Sequence, residues 1–289
     1  MKLNKPVIEE IDIRNLQTVV ELEQVRQLEA IVWSFEDSVP VNQTITVVKN
    51  GGFILGAFLH NKLIGFQYSF PGFDGKKVYL CSHSLGIHPK YRKYGIGEKL
   101  KWAQKGLAEA MGYELITWTY DPLETVNGNL NLHKLGAVCT SYLEDAYGEM
   151  DDGLNSGIAT DRFLVEWRTD EVQDKEGATT SVQKNIQVDL QNFVMETTER
   201  NGLLIPGDIH LGLESDLLFV MVPGNFQEIK SADFSLAVEW RNVTREIFTH
   251  YLLNGWQVTD LIYKDHNQYL YVLERGVKVG DRENYPSAD

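Results

Sequence analysis

Cysteine is scarce in this chain: two occur among 289 residues, Cys81 and Cys139. Two thiols, each within an apolar run, form neither a disulfide framework nor a zinc-binding pattern, so we interpret both as buried free thiols and predict no metal site. The sequence also lacks a run of about 20 apolar residues, the length that spans a bilayer. Its first residues lack the apolar core of a signal peptide. These absences predict a cytoplasmic protein without a membrane partner.

Positive charge is also limited, because 27 Lys and Arg face 41 Asp and Glu, for a net charge of -14. A chain this acidic repels polyanions, which argues against a nucleic-acid partner. One segment, residues 90–105, departs from this balance, with six basic side chains against Glu98, hence +5. Its basic residues are Lys90, Arg92, Lys93, Lys99, Lys101 and Lys105. This basic island predicts attraction of a phosphorylated small molecule, although a solvated lysine-bearing helix face is the plainer alternative.

The basic island contains a tight loop with two glycines, Gly95 and Gly97. A predicted strand over 78–88 precedes it and a predicted helix over 95–111 follows it. The glycines let a ligand approach the backbone, and the first amides of a helix have no partner within that helix. The loop is therefore predicted to bind an anion.

Residues 85–97 read Leu-Gly-Ile-His-Pro-Lys-Tyr-Arg-Lys-Tyr-Gly-Ile-Gly. This segment resembles the acetyl-CoA-binding segment of the GNAT acyltransferase superfamily, whose signature is (Gln/Arg)-x-x-Gly-x-(Gly/Ala) after an apolar strand and a proline. The resemblance implies that loop amides hold the CoA diphosphate of acetyl-CoA or another acyl-CoA, and that the preceding strand splays at a bulge, which Gly86 suits. The cofactor-binding residues it implies are Leu85, Gly86, Ile87, Arg92, Lys93, Tyr94, Gly95, Ile96, Gly97 and Glu98. Asn127 and Asn131 join them as residues that could bind the pantetheine arm, although helix capping is the commoner role of such asparagines.

The order of predicted elements through residue 168 matches the mixed α+β sheet of the GNAT fold. A polar, acidic stretch over 169–181 reads as a linker. Residues 182–289 read as a smaller α+β domain, either a degenerate GNAT-like half or a plain extension. This region has no second Arg-x-x-Gly-x-Gly loop, so a second CoA site is not expected.

Acyl transfer to an amine needs a base, and the strand before the loop offers His83, with Cys81 two residues earlier. Strand alternation predicts Cys81, His83 and Leu85 on one face. The resemblance implies that His83 is the base, because several family members carry a histidine or carboxylate at this place. A strand histidine that is simply hydrogen-bonded to a neighbour is the structural alternative.

The family's usual tyrosine acid is missing, because Leu132 occupies the position four residues before Gly136. Three explanations stay open: the thiolate leaves unassisted, another side chain replaces the phenol, or the protein does not catalyse the reaction. The candidate replacements are Tyr142, His133 and Tyr147, and we select Tyr142.

Substrate-binding candidates lie at a strand end and on the long C-terminal helix. Trp118, Tyr120 and Asp121 end the strand after the cofactor helix, where they could recognise an amine or serve as core and turn residues. Arg241 and Arg245 share one helix face and could hold a substrate anion, although salt bridges are the commoner use.

These observations favour an acyl-CoA-dependent N-acyltransferase, acting by direct transfer to a small-molecule amine in a ternary complex. The alternative is a non-catalytic acyl-CoA-binding or sensing protein. The chain is expected to be a monomer or a homodimer, with the C-terminal unit as a dimerisation module in a third, structural interpretation.

Overall fold

The computed structural model describes residues 10–150, 156–170, 186–265 and 267–276. The described residues form two compact units: 10–118 with 168–170, and 119–150, 156–167, 186–265 and 267–276. These units differ in extent from the predicted domains, 1–168 and 182–289, whose boundaries stay a prediction. Most of the predicted linker lies outside the described residues.

The first unit is built on a mixed five-stranded sheet. Four strands pair with their sequence neighbours in antiparallel fashion, and the fifth pairs in parallel with the fourth. The strands are β1 (Asp12–Leu16), β2 (Phe53–Leu59), β3 (Lys62–Phe73), β4 (Val78–Ile87) and β5 (Leu115–Tyr120), of which the last two residues of β5 are counted in the second unit. A parallel pair needs a crossover connection, and the helix between β4 and β5 supplies it.

Helices cover both faces of this sheet. Helix α1 (Val19–Val32) begins with a capping box between Thr18 and Glu21, and α2 (Val41–Lys49) follows it. The apolar face of α1 packs on Phe66 and Tyr68 of β3, one face of the sheet. Helix α3 (Ile96–Ala110) hydrogen-bonds Ser69 of β3, which points to the opposite face because side chains alternate along a strand.

The sequence predicted these elements well, apart from α2. The apolar pattern over 7–13 predicts a first strand, and the structure has β1 at Asp12–Leu16, with residues 1–9 outside the described part. Helix α2 was not predicted, because the β-branched run 44–48 favours a strand by propensity. Packing of Val41, Ile45, Val47 and Val48 against the core stabilises the helix instead.

The second unit carries an antiparallel sheet in the order β7-β6-β11-β12-β10 and a separate β8-β9 hairpin. Its strands are β6 (Val138–Leu143), β7 (Arg162–Arg168), β8 (Met195–Arg200), β9 (Leu203–Ile209), β10 (Leu217–Pro223), β11 (Trp256–Tyr263) and β12 (Gln268–Arg275). Its helices are α4 (Thr125–Gly128), α5 (Phe226–Ala232) and α6 (Phe234–Leu253), with a π-helical segment at Asn129–Lys134. The sequence patterns predict strands over 217–222, 256–262 and 269–273 and a helix over 235–253, which β10, β11, β12 and α6 confirm. Strands β8 and β9 and helix α5 were not predicted.

Strand β11 joins β6 through the pair Val258–Cys139. The predicted boundary assigns these two strands to different domains, yet they share one sheet. Phe163, Phe248 and Tyr271 pack edge to face in its core, with ring centroids 4.7–5.5 Å apart. The mixed α+β class is confirmed. No helix in the described residues has the length and apolar character to cross a membrane.

Candidate functional site

The loop before α3 has the backbone geometry of an anion-binding nest. Lys93 and Gly95 both lie in the left-handed region, at φ 69° and 72°, and Gly95 is the N-cap of α3. Among the described residues, the amides of Gly95, Ile96 and Gly97 have no backbone acceptor, whereas Lys99 N donates to Gly95 O at 3.1 Å. Unpartnered amides at a helix start, beside residues that alternate in handedness, can bind an anion.

The positive charge at this loop is smaller than the sequence suggests. Lys101 and Lys105 are 2% and 7% exposed and face the interior, so the predicted balance of +5 is wrong as a surface charge. Lys90, Arg92 and Lys93 stay exposed around the loop. Arg92 also donates from Nε to Ile87 O at 3.2 Å, which holds its side chain at the end of β4.

Strands β4 and β5 separate beside the loop. Within the described residues the two strands form two parallel pairs, Leu80–Ile116 and Cys81–Thr117. The rest of β4 does not pair with β5 in that part of the chain. A peptide-lined opening therefore begins after Cys81, on the strand that leads to the loop.

A β-bulge lies at His83, since Tyr68 pairs with Ser84 and Ser69 with Ser82. The expectation that Gly86 forms the bulge is wrong, because Gly86 pairs regularly with Phe66. The Phe66 ring explains why residue 86 is a glycine, since a Cβ at this position would lie 2.4 Å from Phe66 Cε1.

The bulge also changes which residues share a face. Cys81 lies opposite Phe70 and Ser84 opposite Tyr68, whereas Leu85 lies opposite Gln67 on the other face. The predicted set of Cys81, His83 and Leu85 on one face is therefore wrong for Leu85.

His83 is exposed and packs against two rings, with centroids 5.4 Å from Tyr68 and 5.6 Å from Phe70. Partial burial against them lowers the pKa of the imidazole below 6.5, which favours its neutral, proton-accepting form. Burial raises the pKa of Cys81, and nearby Lys101 offsets this only in part, so Cys81 stays a thiol.

Sequence reasoning missed three polar groups on the α1 side of the split. Glu29, on the inner face of α1, is 2% exposed, and its Oε2 accepts the Val39 amide at 3.0 Å. Burial raises the pKa of Glu29 to about 7, against the lowering effects of the Val39 amide and the Arg26 charge. The Tyr68 and Ser84 hydroxyls are buried without a hydrogen-bond partner among the described residues. Glu29 could have been found from the sequence, because it falls within the apolar positions Val25, Leu28 and Val32.

A polar cluster on the α3 face supports β4 from behind. Lys101 Nζ lies 3.1 Å from Ser82 Oγ and 3.3 Å from the ring centroid of Trp118. Burial lowers the pKa of Lys101 well below 10.5. Trp118 is 8% exposed and is packed as a core residue, which was the open alternative to substrate binding.

The predicted charged residues of the second unit pair with one another. Arg241 forms a bidentate ion pair with Asp121, with Nη1 2.9 Å from Oδ1, and Arg245 forms one with Asp161 at 2.6 and 2.8 Å. These contacts are salt bridges, one of the two roles that the sequence analysis gave for the arginines. A substrate-binding role for the arginines and Asp121 stays a prediction.

Tyr142, the predicted acid, donates to Asp161 at 2.7 Å. Burial and the charge of Asp161 raise its pKa, which makes the phenol a weaker acid. Tyr120 is also buried, with its hydroxyl 3.4 Å from that of Tyr271. His133 Nδ1 lies 3.0 Å from Asp260 Oδ1.

The α4 region contains the remaining cofactor candidates. Asn127 is exposed, whereas Asn131 is buried at 5% exposure and accepts the Ala137 amide on its backbone carbonyl. Leu132 is buried at 1% exposure, so the position of the expected tyrosine is occupied by a core side chain.

Comparison with known proteins bears on the loop, the split strands and the helix between them. Residues 17–137 match the model of the acetyltransferase (GNAT) family. The match covers 121 of the 289 residues and shows a region similar to GNAT acetyltransferases. The resemblance noted in the sequence is thus confirmed, and the matched region ends before the β6 strand, so it leaves the C-terminal part without an assignment.

Several solved structures resemble the chain at low identity. The ribosomal-protein-S18-alanine N-acetyltransferase of Escherichia coli is 13% identical, covers 57% of this chain and 97% of its own, and has a TM-score of 0.46. A provisionally assigned acetyltransferase from Salmonella typhimurium, solved with its cofactor acetyl-CoA, is 16% identical, covers 57% of this chain and 97% of its own, and has a TM-score of 0.45. Aminoglycoside 6'-acetyltransferase type Ii is 18% identical, covers 56% of this chain and 99% of its own, and has a TM-score of 0.45. No curated protein matches the chain.

Proposed function

We propose that this protein is an acyl-CoA-dependent N-acyltransferase that transfers an acetyl group to the amine of a small molecule. Acceptor and acetyl-CoA bind together, and transfer is direct. The observation that carries this proposal is the loop 93–97, where unpartnered amides, exposed basic side chains and the opening between β4 and β5 occur together.

The loop residues would hold the CoA diphosphate through their amides. Gly95 suits this role because its left-handed backbone disfavours a larger residue, and open space surrounds the position where a Cβ would lie. Lys93 and Arg92 would add charge, and residues 85–87 would present peptide groups to the pantetheine, because β4 is open along that edge. When bound, the thioester supplies the activated acyl carbon.

His83 is the proposed base, since it projects from the bulge and is held between the Tyr68 and Phe70 rings. The amine nitrogen attacks the thioester carbon, and the C–S bond breaks as the C–N bond forms. His83 takes one proton from the ammonium to give the neutral amine that attacks. The nitrogen loses its second proton after attack, and this proton goes to the departing thiolate, so the products are the acyl amide, CoA thiol and one proton that leaves on His83.

A non-catalytic acyl-CoA-binding protein is the second candidate. It is favoured by Leu132 in place of the tyrosine and by Tyr142, whose proton is committed to Asp161. A thiol with a pKa of about 8.5 can leave without an acid, so the missing phenol does not decide between the two.

The test combines Lys93→Glu with Gly95→Asp and uses Lys49→Glu, the same lysine reversal at an exposed site away from the loop, as a control. We expect calorimetry to show no CoA binding by the double variant, wild-type affinity in the control, and a cooperative unfolding transition in both. CoA binding within a few-fold of wild type by the double variant would refute the loop assignment. Mass spectrometry of amines incubated with acetyl-CoA then separates transferase from sensor.

A further inference from the structure

Two buried hydroxyls on the α1 face of the split are left without partners. The Tyr68 side chain is 1% exposed, and neither its hydroxyl nor that of Ser84 has a hydrogen-bond partner in the described parts of the chain. The two residues lie directly opposite each other on β3 and β4. An unmade hydrogen bond in the interior costs free energy, so two adjacent ones point to a group that is supplied from outside.

A carboxyl group acts on the Tyr68 hydroxyl from the helix that packs on this residue. Glu29 projects from α1, which packs on Tyr68, and its charge acts on the Tyr68 phenol, whose pKa burial and this charge raise to about 12. The Val39 amide occupies Oε2 of Glu29. The exposed His83 contacts the Tyr68 ring, and it lies beyond the point on β4 where pairing with β5 ends.

We propose that Glu29, Tyr68 and Ser84 form the site that holds the ammonium group of the acyl acceptor. Two hydroxyl oxygens can accept N–H bonds, and the carboxylate supplies the opposite charge. An anionic acceptor would be repelled by Glu29, so the site selects a primary alkylammonium. This inference rests on the proposed function, because it assigns the amine-binding part of that reaction.

Binding at this site depends on the charge of Glu29. Arg26, on the same helix, acts on Glu29, and Glu29 acts on Tyr68 of β3. Tyr68 in turn has Cys81 and His83 of β4 as its titratable neighbours. Tyr68 and Cys81 both have raised pKa values and stay neutral near pH 7. Ammonium binding should therefore strengthen as pH rises from 6 to 8 and Glu29 loses its proton.

The test measures thermal unfolding with n-hexylamine as the probe and n-hexanol as its uncharged match, with and without CoA. At pH 8 the amine should raise the wild-type midpoint by about 2 °C or more, and the alcohol should not. Glu29→Gln, Tyr68→Phe and Ser84→Ala should each lose this shift, whereas Glu23→Gln, an exposed site on the same helix, should keep it.

If the two hydroxyls had a purely structural role, their removal would lower the unfolding midpoint of the unliganded protein. Under the proposal, Tyr68→Phe and Ser84→Ala remove unpaired hydroxyls, so each unliganded variant should have an unfolding midpoint equal to or above that of wild type. The inference is overturned if the amine leaves the wild-type midpoint unchanged, or if it stabilises all three variants as much as wild type. The change in unfolding midpoint caused by CoA is evaluated separately. If CoA stabilises neither wild type nor any variant, the proposed function is overturned, and the midpoint changes caused by the amine still decide whether this site binds an ammonium group.

Discussion

Replacing Glu29 with glutamine should make the protein more stable at pH 8 and should remove a pH dependence. Burial raises the pKa of this carboxyl from 4.5 to about 7. The folded state therefore keeps its proton between pH 4.5 and 7, where the unfolded chain has lost it. Stability consequently falls as pH rises through this window, and the full cost is present above pH 7. A shift of two to three units corresponds to about 3 kcal/mol at 1.36 kcal/mol per unit.

The assay is the difference in unfolding midpoint between wild type and Glu29→Gln, measured by circular dichroism from pH 5 to 8. Glutamine can still accept the Val39 amide, so the variant isolates the charge. The difference should be small at pH 5 and grow in favour of the variant toward pH 8. Glu23→Gln should change stability by less than about 0.5 kcal/mol at every pH. A constant difference across this range would refute the buried-carboxylate reasoning.

Three further changes test other parts of the account. His83→Ala should leave CoA affinity intact and lower turnover with an accepted amine by about tenfold or more at neutral pH, in steady-state kinetics; unchanged turnover would remove His83 as the base. Asp121→Ala should destabilise the second unit by about 3–5 kcal/mol in urea unfolding, since Arg241 stays buried without its carboxylate; a loss under about 1 kcal/mol would show that the pair is unimportant. Lys101→Met should raise the unfolding midpoint more at pH 7 than at pH 10, because the buried amine's lowered pKa penalises its charged form; an equal change at both values would contradict this.

The sequence predicted the strand, loop and helix around Gly95 because their signals are local. Gly95 needs a left-handed backbone, and the strand before it and the helix after it are visible as period-two and period-3.6 patterns. Charge counting failed at Lys101 and Lys105, because only the packing of α3 on the sheet shows that their side chains point inward.

The residues of the proposed amine site could not be predicted in the same way. The bulge at His83 depends on the register between β3 and β4, which is set by pairing across the chain. Tyr68 looks like an ordinary core aromatic in the sequence, and its unpaired hydroxyl is visible only in three dimensions. Long-range pairs such as Arg245–Asp161 also need the fold, since 84 positions separate them.

The central claim is that the amides at the start of α3 bind the diphosphate of an acyl-CoA. A crystal structure of the complex with acetyl-CoA tests it most directly. We expect diphosphate oxygens about 3 Å from the amides of residues 95–97 and the thioester in the opening beside His83. A diphosphate bound elsewhere, with those amides still without a ligand, would contradict the account.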